Sequence, residues 1–155
     1  MKAPEKTNVM RILDKAGIPY QIHTYEGVTS GTDVAALLNQ DPERVFKTLV
    51  TVGKSGSHYV FVVPVNGALN LKKAAAAAGE KSIAMIKSKE LLPLTGYIHG
   101  GCSPIGMKKA FPTFFHVSAE SLPTLMFSAG KVGFQVEADP AEIRKLVGFA
   151  YADLI

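Results

Sequence analysis

Phe46-Lys47-Thr48-Leu49-Val50-Thr51-Val52 runs into Gly53-Lys54-Ser55-Gly56, and His58 to Val65 follows as a second apolar run. The first run reads as a strand with separate faces, Phe46, Thr48, Val50 and Val52 against Lys47, Leu49 and Thr51. The Gly/Ser-rich segment between the runs is a tight turn, so the second run returns beside the first. Strands joined that closely are antiparallel, because parallel neighbours need a crossover of a dozen or more residues. The hairpin therefore argues against a doubly wound parallel sheet.

Helices and strands are interleaved on both sides of it. Residues 7 to 16 read as a helix with Val9, Met10, Ile12, Leu13 and Ala16 on one face, Thr7 or Asn8 as cap, Gly17 as its end and Pro19 beyond. Tyr20 to Tyr25 alternates as a strand, with Tyr20, Ile22 and Thr24 on one side, and Glu26 to Gly31 is a loop. A helix is expected from Thr32 to Asn39, with Val34, Leu37 and Leu38 inward. Asp41-Pro42-Glu43 opens a short turn through Val45, an acceptor cap before a proline.

After the hairpin comes a helix over Leu71 to Ala78, capped by Asn70 and closed by Gly79. A strand at Ser82 to Ile86 and a short helix from Ser88, ended by Pro93, follow. Strands are expected at Thr113 to Val117, Thr124 to Ala129 and Val132 to Ala138, then a helix begun by Asp139-Pro140 and running through Val147. The fold class is α+β: a curved mixed sheet or partial barrel surrounded by helices, as one domain over residues 1–155.

Thr95-Gly96-Tyr97-Ile98-His99-Gly100-Gly101-Cys102-Ser103-Pro104-Ile105-Gly106-Met107-Lys108-Lys109 is the chemically suggestive stretch. It reads as a short apolar strand that breaks into a glycine pair, is stiffened by Pro104 and ends in two lysines. Glycines let backbone approach a ligand closely, so the bend is a plausible cradle of peptide N–H groups for a carbonyl oxygen or phosphate.

Composition sets the class. Hydrophobic residues make up 47% and charged residues 19% of the 155, the profile of a globular chain and not of a disordered one. The first ten residues hold no apolar signal segment, and the longest apolar runs are too short to cross a bilayer. A single cysteine fits a reducing, cytoplasmic setting. The net charge of +4 inclines towards a polyanionic partner.

Several motifs fall short of established chemistries. Gly53-Lys54-Ser55 ends like a phosphate-binding loop, but Thr48 stands where the first glycine belongs. Gly101-Cys102-Ser103-Pro104-Ile105-Gly106 misses the hydrolase elbow by one residue. His99 and Cys102 have no second ligand pair at metal spacing, so neither a metal nor a cofactor is expected. His23, His58 and His116 fall on strands, where structural roles are usual, and Asp139 reads as a cap. Cys102 is either a thiolate nucleophile favoured by nearby lysines or a small buried residue. Lys47 either snorkels to solvent or is directed into a cavity.

Taken together, Phe46-Lys47-Thr48-Leu49, Leu69-Asn70-Leu71-Lys72, Leu94 through Pro104 and Ser128-Ala129-Gly130 resemble the YbaK/EbsC family across essentially the whole chain. These are Cys-tRNA(Pro) deacylases related to the editing domain of bacterial prolyl-tRNA synthetases. The resemblance implies a mixed barrel-like fold and trans-editing of mischarged tRNA(Pro), extending to tRNA(Cys), with prolyl-tRNA synthetase as a candidate partner and no cofactor. By the same resemblance Lys47 is the essential lysine, and Gly100, Gly101, Cys102, Ser103 and Pro104 form the GxxxP loop that holds the aminoacyl carbonyl.

Tyr20, Thr48, Ser128 and Gln135 would complete the substrate pocket, and Lys72, Lys73, Lys108 and Lys109 are the candidates for tRNA phosphates. The resemblance also implies attack by the substrate's own thiol, since no Ser/His/Asp triad or Cys/His pair is found. One departure stands out: Val132 and Gln135 occupy places where some members carry Arg and Asp. Two other readings remain, an editing enzyme for another ester such as Ala-tRNA(Pro), and a non-catalytic tRNA- or synthetase-binding module.

Overall fold

The computed structural model describes residues 6–27 and 30–155. The hairpin is as expected: β2 (Phe46–Gly53) and β3 (His58–Pro64) pair antiparallel, with Lys47 opposite Val63 and Thr48 opposite Val62. They sit inside a five-stranded sheet of order β4-β2-β3-β5-β8, where β4 is Ile83–Met85, β5 Thr113–His116 and β8 Ala150–Ala152. β4 joins antiparallel, while β3–β5 and β5–β8 are parallel, so the sheet is mixed.

A second, antiparallel sheet has the order β1-β7-β6, from Gln21–Thr24, Phe134–Ala138 and Leu125–Ser128. Among the described residues the two sheets are joined edge to edge by a parallel bridge, Val45 to Met126. That seam turns two sheets into a partial barrel.

The main core lies between the sheets. Phe46, Val50, Val60 and Val62 from the large sheet meet Leu125, Phe127 and Val136 from the small one. Helix α1 (Asn8–Ala16) seals one end with Val9, Met10 and Leu13 fully buried, and α5 (Pro140–Val147) adds Ile143. Phe115 stacks on Phe149 at 3.8 Å between ring centroids. Burying such a side chain is worth about 1.5–3 kcal/mol. The opposite face of the large sheet carries Phe61 and Val63, covered by Ala74 and Ala75 of α3 (Leu71–Ala78) and by Leu154. Alanines let that helix lie close.

The caps fall where local chemistry put them. Thr7 Oγ1 accepts from Met10 N, Asn70 Oδ1 from Lys72 N and Lys73 N, and Asp139 Oδ1 from Ala141 N.

Several expectations are corrected. The stretch beginning at Thr95 holds no strand: α4 runs Ser88–Thr95 with Pro93 inside it, and Tyr97 and Ile98 lie in the following loop. Pro93 therefore does not end the helix; Gly96, at φ 82°, does. Helix α2 is Gly31–Leu37, and its Leu37 faces outward at 54% exposure, because the helix is too short to bury three apolar rows. The turn expected after Asp41 is a 3₁₀ turn over Pro42–Arg44 that closes at Val45, whereas an unforeseen one over Val117–Ser121 stops β5 at His116. Part of the Glu26 to Gly31 loop, residues 28–29, lies outside the described residues.

Candidate functional site

The start of β2 forms one wall. Phe46 turns into the main core, and alternation then sends Lys47 and Leu49 to the other side of the strand from Thr48. The strand is held at this end by two ties. Val65 N donates to Val45 O (2.8 Å), and Arg44 Nη2 donates to Thr124 Oγ1 (2.6 Å) and to Glu137 Oε2 (3.2 Å). Glu137 also takes His23 Nε2 at 2.9 Å on its other oxygen. Burial would raise this carboxyl, but its bonds to Thr124 and His23 and the Arg44 charge hold it below the usual carboxylate range.

The glycine loop forms the second wall, and it is closed at both ends. Lys108 N donates to Thr95 O (2.9 Å), while Thr95 Oγ1 accepts from Tyr97 N (3.0 Å) and donates to Leu91 O (2.7 Å). Inside the loop the buried Tyr97 hydroxyl donates to Ile105 O. Ser103 Oγ accepts from Ile105 N at 3.3 Å. Gly100 has φ 85°, a left-handed conformation suited to glycine.

The third wall comes from β6, β7 and the turn between them. Ser128 and Gln135 are partners in register, and Gly130 N donates to Ser128 Oγ at 3.1 Å. The turn reaches across to the glycine loop, since a Cβ on Gly100 would meet Val132 Cγ2 at 3.5 Å. Tyr25 is tied to the same turn through Tyr25 N donating to Gly133 O (3.0 Å).

These walls enclose a cavity of about 200 Å³, lined among others by Tyr25, Phe46, Lys47, Thr48, His99, Gly100, Cys102, Ser128 and Gln135. Two polar atoms at it, Thr48 Oγ1 and Gln135 Oε1, are buried with no hydrogen-bond partner among the described residues. Buried polar atoms are normally satisfied, so both oxygens are acceptors for a donor that reaches this part of the cavity wall. No hydrogen bond or ion pair joins Lys47 to another described residue. Burial pushes the Cys102 thiol up to about 12, so it stays a neutral thiol at neutral pH. Cys102 is half-buried at the cavity wall, where burial does not favour the thiolate that the nucleophile reading needs.

The structure thus brings Lys47, Thr48, Gly100, Cys102, Ser128 and Gln135 together. It does not bring Tyr20. That residue lines a separate cleft with Gly17, Pro19 and Glu137, and its hydroxyl donates to Asp14 Oδ1 at 2.9 Å. Tyr25, five residues on, stands in the pocket instead.

The loop residues divide as well. Gly101 N donates to Ile98 O (3.0 Å), so this amide is already engaged. Ser103 is fully buried and spends its oxygen within the loop, while Pro104 lines a groove on another side with Ile12, Lys109 and Phe111. Gly101, Ser103 and Pro104 therefore shape the bend from behind.

The lysines differ too. Lys72, Lys108 and Lys109 are exposed, but Lys73 Nζ is held by Asp153 Oδ2 (2.8 Å) and the Ile155 carbonyl (2.6 Å). The sequence reading missed Tyr25, Ser30 and Leu91 as lining residues, and weighed His99 only as a metal ligand. Among the described residues no group of three or more His, Cys, Asp or Glu could hold a metal ion. No helix among them is long and apolar enough to cross a membrane.

Residues 25–146, which carry all three walls, match the aminoacyl-tRNA editing domain family. The chain belongs to that family. It is 42% identical over 99% of its length to the protein named "Putative Cys-tRNA(Pro)/Cys-tRNA(Cys) deacylase EbsC" of Enterococcus faecalis, covering 95% of that protein. Among solved structures, "a putative trans-editing enzyme for prolyl tRNA synthetase" superposes with a TM-score of 0.83 at 24% identity, covering 97% of this chain and 98% of that one. The "hypothetical protein APE2540" superposes with a TM-score of 0.86 at 22% identity, covering 94% of this chain and 97% of that one. At such identities these two likenesses concern the editing-domain fold alone.

Proposed function

We propose that this chain is a trans-editing aminoacyl-tRNA deacylase that removes cysteine from mischarged tRNA(Pro), and from tRNA(Cys), using the substrate's own thiol. The observation that carries the reading is the convergence of Lys47, the Gly100–Cys102 bend and two unpartnered polar atoms on one small cavity. Its volume of about 200 Å³ admits an acyl group. It falls below the ~300–1,000 Å³ of pockets that enclose drug-sized ligands, so the nucleotides stay outside.

In the proposed reaction the substrate sulfur attacks its own ester carbonyl carbon. A C–S bond forms, the tetrahedral oxyanion collapses, and the bond to the ribose oxygen breaks. That oxygen gains a proton as the thiol loses one, leaving a free tRNA end and a cyclic thioester. The protein's part is to hold the reactive conformer and stabilise the oxyanion. With Gly101 N engaged, the Gly100 and Cys102 amides are the donors assigned to the oxyanion. The Lys47 ammonium anchors the terminal phosphate or ribose, and Ser128, Thr48 and Gln135 line the acyl subsite.

The editing unit is taken as the whole of residues 1–155, working in the cytoplasm where tRNA is charged, with prolyl-tRNA synthetase as the candidate partner. The test is single-turnover deacylation of tRNA(Pro) charged with Cys, Ala or Ser, and of Cys-tRNA(Cys). Cysteinyl esters should be cleaved fastest. Preference for the alanyl ester would replace cysteine with alanine as the substrate and remove thiol assistance. Tight tRNA binding without turnover of any ester would make the chain a binding module.

A further inference from the structure

The cavity has a positive charge and no negative one. Its lining residues are apolar or neutral apart from Lys47 and the titratable His99. The carboxylates nearest in sequence to lining residues, Glu26, Asp33 and Glu90, do not line it. Where polarity is buried it is neutral. Gln135 is only 6% exposed, held in register between His23 and Ser128, and its amide oxygen and the Thr48 hydroxyl are the unpartnered atoms.

Aminoacyl esters carry an α-nitrogen beside the reacting carbonyl. An ammonium taken into a small cavity loses water and needs a counter-charge; without one its neutral form is favoured. A neutral amine has no such difficulty, since its N–H can donate to the Gln135 or Thr48 oxygen.

We propose that this site does not recognise an α-ammonium group, and that its substrate class is a thiol-bearing acyl ester on a tRNA 3′ end whose α-nitrogen is uncharged or absent. The proposal rests on the deacylase reading above and specifies what that site accepts. The step is unchanged: sulfur bonds to the carbonyl carbon, the ester C–O bond breaks, and the ribose oxygen takes the proton. The α-nitrogen takes no part.

The experiment compares two esters of tRNA(Pro) on the full chain: cysteinyl, and 3-mercaptopropionyl, which keeps the thiol and lacks the amine. Each single-turnover rate is divided by that ester's spontaneous hydrolysis rate, because an α-ammonium activates the free ester by itself. The two enhancements are expected to agree within tenfold. A greater loss for the mercaptopropionyl ester overturns the proposal. Acceleration of neither ester fails the deacylase reading itself, a distinct result. Gln135→Glu supplies a carboxylate and should open a gap of at least tenfold in favour of the cysteinyl ester. Equal enhancement of both esters by that variant, with the cysteinyl ester still cleaved, overturns the part assigned to Gln135.

Discussion

A Cβ on Gly101 would lie 3.2 Å from the backbone nitrogen of Val132. The neighbour is backbone in a tight turn and has little room to give. Gly101→Ala should therefore push the glycine loop away from the β6–β7 turn. We expect a stability loss of about 1–3 kcal/mol, the usual range for overpacking. Displacing the cradle should also lower the deacylation rate by roughly 10². Thermal unfolding and single-turnover assays read the two effects separately. An unchanged rate would mean that the loop position does not matter to the chemistry.

Lys47→Ala should behave differently. The ammonium makes no hydrogen bond or ion pair with another described residue, so its removal should leave thermal stability nearly unchanged. Losing a charge aimed at the substrate end should slow deacylation by ~10²–10³, comparable to removal of an oxyanion donor. Lys47→Arg should recover little, because a planar guanidinium does not match a point charge in a small cavity. Wild-type turnover by Lys47→Ala would remove this residue from the mechanism.

Cys102→Ala should retain activity, and its consequence lies in alkaline stability. Burial pushes the folded thiol up to about 12 from an ordinary value of 9.0. The unfolded thiol therefore ionises first as pH rises. The stabilisation linked to this group is complete below the ordinary value and is lost progressively as pH climbs from 9 towards 12. Tyr97, also pushed up to about 12 chiefly by burial and further by Cys102, acts in the same direction from 10.0. The Ala variant should show a shallower fall in melting temperature across that range than wild type. An equal fall would assign the alkaline loss to other groups.

Among the lysines, being tied to a partner separates structure from binding. Lys108→Ala and Lys109→Ala should each weaken tRNA binding and reduce the log–log salt slope by roughly 0.7–0.9 per phosphate contact. Lys73→Ala should leave the slope alone and lower the melting temperature, because it releases Asp153 and the Ile155 carbonyl. Its exposed ion pair alone would be worth only ~0–1 kcal/mol. A salt slope that drops with Lys73→Ala would return this lysine to the interface.

Features encoded by neighbouring residues were legible in the sequence. The β2–β3 hairpin and the caps at Thr7, Asn70 and Asp139 follow from turn chemistry and short-range hydrogen bonds. Features decided across the chain were not. Nothing in Thr113 to His116 announces parallel pairing with β3, and Ala150–Ala152 is too short to carry a periodic signal. The choice between Tyr20 and Tyr25 illustrates the limit at the site. Both flank one strand, but Gly133 ties Tyr25 to the pocket, while Tyr20 is drawn to Asp14. The glycine stretch was recognisable as a bend, yet where it is held depends on a distant part of the chain, since Gly100 and Gly101 lie against Val132.

Lys47 and Gln135 stand on different sheets, and those sheets meet where Val45 bridges Met126, with Arg44 and Glu137 bolted alongside. The width offered to an incoming acyl group is thus set at the joint between the sheets, where Val45 forms part of the cavity wall. A methyl gained or lost at Val45, which lines the cavity, would resize the chamber while leaving Lys47 and the glycine bend in place. Choice of which amino acid to discard is therefore free to drift while the cleavage apparatus stays as it is.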